Sequence, residues 1–171
     1  MSENKEQKIV TNIYAVFCVS LLMMLVPLAQ AALLASLMFI GIWIAAYVVR
    51  SKAEENSLTE DHMTYIIRTI WITSLFSLIT VAIASAYILS VYDRSMMLNC
   101  AGNVTAEASM QAIQNAFAPC MDEFLHENMA YFINGTVVAA GPLVIYLAYR
   151  LAKGITRATK GHRIGDTKNW F

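Results

Sequence analysis

The sequence predicts an all-α integral membrane protein: a four-helix bundle with both termini cytoplasmic and a short extramembrane helix between spans three and four. Three observations carry this. Of the 171 residues, 58% are hydrophobic and only 14% charged, whereas a soluble domain is about a quarter charged and about half apolar. The apolar residues gather into four segments, each long enough to cross a bilayer. The Lys and Arg residues fall almost entirely on one side of the resulting layout. This composition excludes a water-soluble globular enzyme and a disordered chain. Twelve basic residues balance twelve acidic ones, so the charge also points away from nucleic acid.

Spans one and two come from a single uncharged stretch, Ile9 to Val49. As one helix it would run to roughly 60 Å, about twice the hydrocarbon thickness of ~30 Å. It must therefore cross twice, turning at Pro27 and Gln30. Span one is read as Ile9 to Val26 and span two as Ala32 to Val49. Lys5 and Lys8, the apolar run and Ala29-Gln30-Ala31 also fit a cleavable signal peptide. Cleavage would leave Ala32 opening another apolar run, so a retained helix is expected.

Arg50 to His62 carries two basic and four acidic residues and reads as a loop. Span three has its core at Ile70 to Ser90, with a polar first turn or two from His62. Residues 93–128 read as an outer, periplasmic loop. Span four is Met129 to Tyr149, and residues 150–171 form a basic cytoplasmic tail. The whole chain, 1–171, is one four-span domain. With both termini inside, the cytoplasmic side holds eleven Lys and Arg residues and the outer side Arg94 alone.

The outer loop contains Cys100 and Cys120, and Cys18 lies alone in span one. Two cysteines in one outward loop predict a disulfide. Its ring would contribute about 3 kcal/mol in the chain-entropy model. Between them, Ala106 to Phe117 reads as a helix, with Thr105 as N-cap, Glu107 near the positive end and Pro119 as the stop. It would cap the outer bundle ends or dock another protein. Asn103-Val104-Thr105 is a formal glycosylation sequon, relevant only to a eukaryotic source.

No Asp, Glu, Lys, Arg or His lies in the core of any span. Pumps and proton-coupled carriers usually show such groups. No phosphate loop, zinc spacing or serine-nucleophile motif occurs, so no cofactor, metal site or catalytic residue is expected. Polar uncharged residues do recur: His62, Tyr65, Thr69, Thr73, Thr80 and Tyr87 share one face of span three. That face is a helix–helix seam or the wall of a polar path, with Asn12 and Asn134 as its partners. Gly41-x-x-x-Ala45 and Gly135-x-x-x-Ala139 are small-residue pairs at close-packing spacing. Gly141-Pro142 should kink span four.

Two segments carry a resemblance. His62-Met63-Thr64-Tyr65-Ile66-Ile67-Arg68-Thr69-Ile70-Trp71-Ile72 opens span three, and Tyr149-Arg150-Leu151-Ala152-Lys153-Gly154, with a later Lys160-Gly161, follows span four. Together they resemble a family of small bacterial inner-membrane proteins of unknown function. More distantly the layout is similar to Tic20-like proteins and to magnetosome membrane proteins. The resemblance implies an inner-membrane location; the position of these segments at the cytoplasmic interface makes His62, Tyr65, Arg68, Trp71, Arg150, Lys153, Arg157 and Lys160 candidate contacts for a partner or for lipid. The basic residues recur every three or four positions, so they would line one face and meet anionic lipid on the cytoplasmic side.

The expected function is non-enzymatic: an accessory, scaffold or assembly subunit of a larger membrane complex, bound to another membrane protein or to further copies of itself. A transport or translocation component is the rival. The cysteine pair between spans three and four also resembles quinone-linked thiol oxidases. Those need a second pair, C-x-x-C, between spans one and two, where this chain has Pro27-Leu28-Ala29-Gln30-Ala31.

Overall fold

The computed structural model describes residues 3–26, 28–91, 95 and 109–165. Among them there are four long helices and no strand: α1 (Glu3–Met24), α2 (Ala29–Ser51), α3 (Leu58–Val91) and α4 (Met110–Thr159). All four are long and apolar enough to cross a membrane. That is the all-α, four-span class the hydropathy pattern predicts.

The helices are longer than the apolar runs. Arg50 and Ser51 belong to α2, so the expected loop of thirteen residues shrinks to residues 52–57. The reason is an N-terminal cap by Ser57, with Glu60 reaching back to the turn before it. The Glu60 amide donates to Ser57 Oγ at 3.1 Å, and the Asn56 amide donates to Glu60 Oε2 at 2.7 Å. Two donors at the helix start are thereby satisfied, which lets α3 begin four residues before His62. Asn56 takes a positive φ of 60° to make the turn, a conformation asparagine tolerates better than most residues.

A correction concerns the short extramembrane helix, Ala106 to Phe117. Residues 106–108 lie outside the described residues. From Met110 onward the chain is helical without interruption through Pro119 and Pro142 to Thr159. Pro119 therefore does not stop a helix. A proline removes one backbone hydrogen bond and strains the preceding turn, but the apolar and polar helix formers on both sides carry α4 past it. Residues 118–128, expected as loop, are helix, and the basic stretch after span four continues the same helix to Thr159. The outer-loop calls at Cys100, Asn103 and Thr105, and the Pro27 turn, lie outside the described residues.

At its far end α4 stops in a Schellman motif. The Gly161 amide donates to the Ala158 carbonyl at 3.0 Å and the His162 amide to the Arg157 carbonyl at 2.9 Å. Gly161 has a φ of 68°, the left-handed conformation this cap requires and glycine supplies.

The chain divides into two compact units. The first comprises Met1–Phe76 and Val144–Phe171, the second Ser77–Leu143. In the first, α1, α2, the first half of α3 and the last part of α4 surround a core of Val10, Tyr14, Phe17, Ile42, Ala46, Met63, Ile66 and Ile70. In the second, among the described residues, the end of α3 and most of α4 bury Ala84, Phe124, Asn128 and Gly135.

Candidate functional site

The polar face of α3 turns inward in the first unit. His62, Tyr65 and Thr69 are spaced three and four apart and are all buried. Facing them, α4 presents Arg150, Gly154 and Ala158, again one helical turn apart and all buried. Tyr14 of α1 closes the group.

Arg150 is fully buried, with 0% of its surface exposed. Its Nε donates to Thr69 Oγ1 at 3.0 Å, and the Thr69 hydroxyl donates in turn to the Tyr65 carbonyl at 2.7 Å. The guanidinium carbon lies 3.6 Å from the centre of the Tyr65 ring. That is cation–π contact, worth about 2 kcal/mol or more when desolvated. The Tyr65 hydroxyl crosses back to donate to the Arg150 carbonyl at 3.2 Å. Tyr65 thus supports Arg150 twice, through its ring and through its hydroxyl.

His62 and Tyr14 extend the network. The His62 Nε2 atom lies 3.1 Å from the His162 carbonyl, which can only accept, so Nε2 carries the proton. In the neutral ring Nδ1 then accepts from the Tyr14 hydroxyl, 3.2 Å away. The two rings meet edge to face at 5.7 Å and 88°. Tyr14 can approach only because position 154 lacks a side chain: a Cβ there would sit 2.5 Å from its oxygen. The Schellman turn at Gly161 is what aims the His162 carbonyl at the ring.

Polar contacts at the same helix ends tie the periphery. Glu6 Oε2 accepts from the Thr59 amide at 3.4 Å and its hydroxyl at 3.3 Å, at the start of α3. Gln7 Nε2 donates to the Thr159 carbonyl at 2.7 Å. Arg163 Nε meets Asp61 Oδ2 at 2.7 Å, a hydrogen bond that raises the pKa of this exposed guanidinium.

The contact residues named from sequence separate into two groups. His62, Tyr65 and Arg150 are interior. The expected single basic face breaks at Arg150, because that position of α4 lies against Thr69 and Tyr65 of α3. Arg157 and Lys160 remain exposed and Lys153 and Arg68 half-buried. Trp71 is 55% exposed; its Nε1 donates to the Tyr47 hydroxyl at 2.9 Å and its ring meets Trp43 edge to face at 5.6 Å. It therefore ties α3 to α2 while presenting a face outward.

The expected partners of the α3 face also change. Asn12 and Asn134 are exposed, and Arg150 and Tyr14 take their place. Sequence reading missed Tyr14, although Val10, Tyr14 and Phe17 repeat at helical spacing. It missed the inward role of Arg150 because a cation at the end of an apolar run reads as an anchor. Below Thr69, the Thr73 hydroxyl, the Tyr146 hydroxyl and Trp43 Nε1 are buried with no hydrogen-bond partner. Among the described residues no group of three or more His, Cys, Asp or Glu side chains could hold a metal ion.

Comparison with protein-family models, with curated proteins and with solved structures returns no match.

Proposed function

We propose that this chain is a non-enzymatic accessory, scaffold or assembly subunit of a larger complex in the bacterial inner membrane, with both termini cytoplasmic. The observation that carries the reading is how the buried polar groups are used. His62, Tyr65, Thr69, Tyr14 and Arg150 bond to one another or to backbone carbonyls. These side chains act as ties between helices. The two segments with a family resemblance, 62–72 and 149–154, supply most of that cluster, which supports membership in the same group of small membrane proteins. Arg157 and Lys160, exposed at the end of α4, suit anionic lipid on the cytoplasmic face. Cys100 and Cys120 pair on the opposite side.

The test is extraction of the native membrane in polymer nanodiscs through a tag on this chain, followed by mass measurement. The expected result is a stoichiometric complex with another membrane protein whose abundance falls when this chain is deleted. Digestion of the same sample without reduction should give a Cys100–Cys120 cross-linked peptide. Recovery of the chain alone, with no membrane protein depleted in the deletion strain, would overturn the subunit reading.

A polar path for transport is the second reading. It is favoured by two partnerless hydroxyls, that of Thr73, which continues the α3 polar face beyond Thr69, and that of Tyr146 on α4.

A further inference from the structure

We propose that the outer side of the seam between α3 and α4 binds the phosphate of one anionic phospholipid, held by Arg68, Lys153 and the Tyr146 hydroxyl. All three residues belong to the first unit.

Helix geometry places them together. On α3, Ile66 and Ile70 join the core shared with α1 and α2, while Tyr65 and Thr69 meet α4. At 100° per residue, Arg68 then falls on the flank turned away from α1 and α2. On α4, Leu151 and Ile155 pack against the same core and Arg150 meets Thr69. Tyr146, Tyr149 and Lys153 therefore also fall on the flank turned away from α1 and α2. The two helices run antiparallel, since His62 meets His162, Thr69 meets Arg150 and Phe76 meets Tyr146. With Thr69 level with Arg150, Arg68 and Lys153 stand within about one turn of each other along the pair.

The chemistry of these groups calls for a phosphate. Arg68 and Lys153 are half-buried cations, and the Lys153 ammonium stands 5.6 Å over the Tyr149 ring. A guanidinium fork beside an ammonium suits phosphate oxygens. The Tyr146 hydroxyl is buried with no hydrogen-bond partner, and both Arg68 and Arg150 are near enough for their charge to act on it. A phosphate oxygen drawn in by Arg68 is the acceptor this donor lacks. Asp61, on the same flank of α3, is already paired with Arg163 at 2.7 Å.

The surface leading away from these groups makes the anion a lipid. Leu75, two turns from Arg68, and Ile145, one turn from Tyr149, are exposed and give an acyl chain a track. Arg68 sits at the edge of the apolar run, at the level of the headgroups. A soluble anion would use none of this apolar surface. The inference rests on the bilayer location in the proposed function and deepens its lipid contact; it needs no protein partner.

The experiment is native mass spectrometry of the full chain in detergent, titrated with phosphatidylglycerol or with phosphatidylcholine. The chain should retain one phosphatidylglycerol in preference to phosphatidylcholine. Arg68→Gln and Lys153→Gln should each weaken phosphatidylglycerol about tenfold, the lower end of a hydrogen bond to a charged group. Tyr146→Phe should weaken it about threefold, with thermal unfolding unchanged or slightly raised, because the hydroxyl has no partner within the chain. Arg50→Gln, an exposed cation of α2, is the control for diffuse attraction and should bind as the parent does. Equal retention of the two lipids would overturn the proposal, as would equal losses in Arg50→Gln and Arg68→Gln or a Tyr146→Phe chain that binds like the parent. Displacement of the lipid by glycerol phosphate would overturn it in favour of a soluble anion. Carbonate extraction of native membranes reads the premise separately: a chain released by it fails the bilayer location itself, whereas a retained chain without lipid preference fails only the site.

Discussion

The two units of this chain share the same two long helices, α3 and α4, yet those helices are joined by different means in each. In the first, α3 and α4 contribute His62, Tyr65, Thr69 and Arg150, a connected polar network with the Tyr14 ring seated on Gly154. In the second, the same helices meet through small and aliphatic groups: Gly135 lies close to Ile88 and Tyr87, and a shallow groove runs past Ser77, Ala84, Ala139 and Leu143. Lipid tails are as apolar as leucine, so hydrophobic burial drives neither association strongly. A polar network specifies one geometry, because each donor has one acceptor. Small-residue packing specifies closeness and little else. The first unit should therefore be rigid toward substitution and the second permissive.

The largest test removes the ring beneath the buried cation. Tyr65→Leu takes away both the π face under Arg150 and the hydroxyl bond to its carbonyl. The expected cost is about 3 kcal/mol, a desolvated cation–π contact together with one hydrogen bond, read by detergent titration of the protein in bicelles. Adding Arg150→Met to Tyr65→Leu should recover part of that loss, since no cation then faces the space the ring has left. Two single substitutions whose costs simply add would mean that the ring and the guanidinium do not cooperate.

A matched pair of glycine substitutions tests the contrast directly. Gly154→Ala places a Cβ 2.5 Å from the Tyr14 oxygen and must displace it from His62. Overpacking of this kind costs roughly 1–3 kcal/mol. Gly135→Ala meets the end of the Ile88 side chain at 3.1 and 3.2 Å and the Tyr87 ring at an ordinary 3.7 Å, and the flexible Ile88 can turn away. This variant should stay within about 0.5 kcal/mol of the parent. Equal costs in the same unfolding assay would erase the distinction between the units.

The smallest effect separates two neighbouring threonines. Thr69→Val removes a hydroxyl that both donates and accepts, and should cost about 0.6–1.7 kcal/mol. Thr73→Val removes a buried hydroxyl with no partner and should leave stability unchanged or slightly raised. A folded, membrane-inserted Thr73→Val chain that loses its cellular phenotype would favour the polar path over the scaffold.

Much of the fold was legible because hydrophobic length is written locally. The four apolar runs and the inward face of α3 could be read from composition and helical periodicity. The boundaries were less so. Ser57 caps α3 and Glu60 reaches back to Asn56, a Ser-x-x-Glu spacing that is in the sequence, but the charges around it suggested a loop. Pro119 suggested a stop, because a proline is a local signal and the helix around it is held by many other residues. The candidate site was half legible. His62, Tyr65 and Thr69 were identified as a shared face, while their partners were sought at Asn12 and Asn134 by polarity alone.

The sequence by itself determined that this chain makes four apolar helices, because backbone satisfaction in lipid and the length of each run leave no other arrangement. It also determined which side of α3 is polar, because 100° per residue follows from helix geometry. Only the tertiary structure decided that Arg150 faces inward. Its position in the sequence equally suits a side chain reaching for the membrane surface. What turns it is the Tyr65 ring and the Thr69 hydroxyl, 85 and 81 residues away along the chain. The same holds for Tyr14 and Gly154: a missing side chain acquires meaning only when another helix occupies the space it leaves.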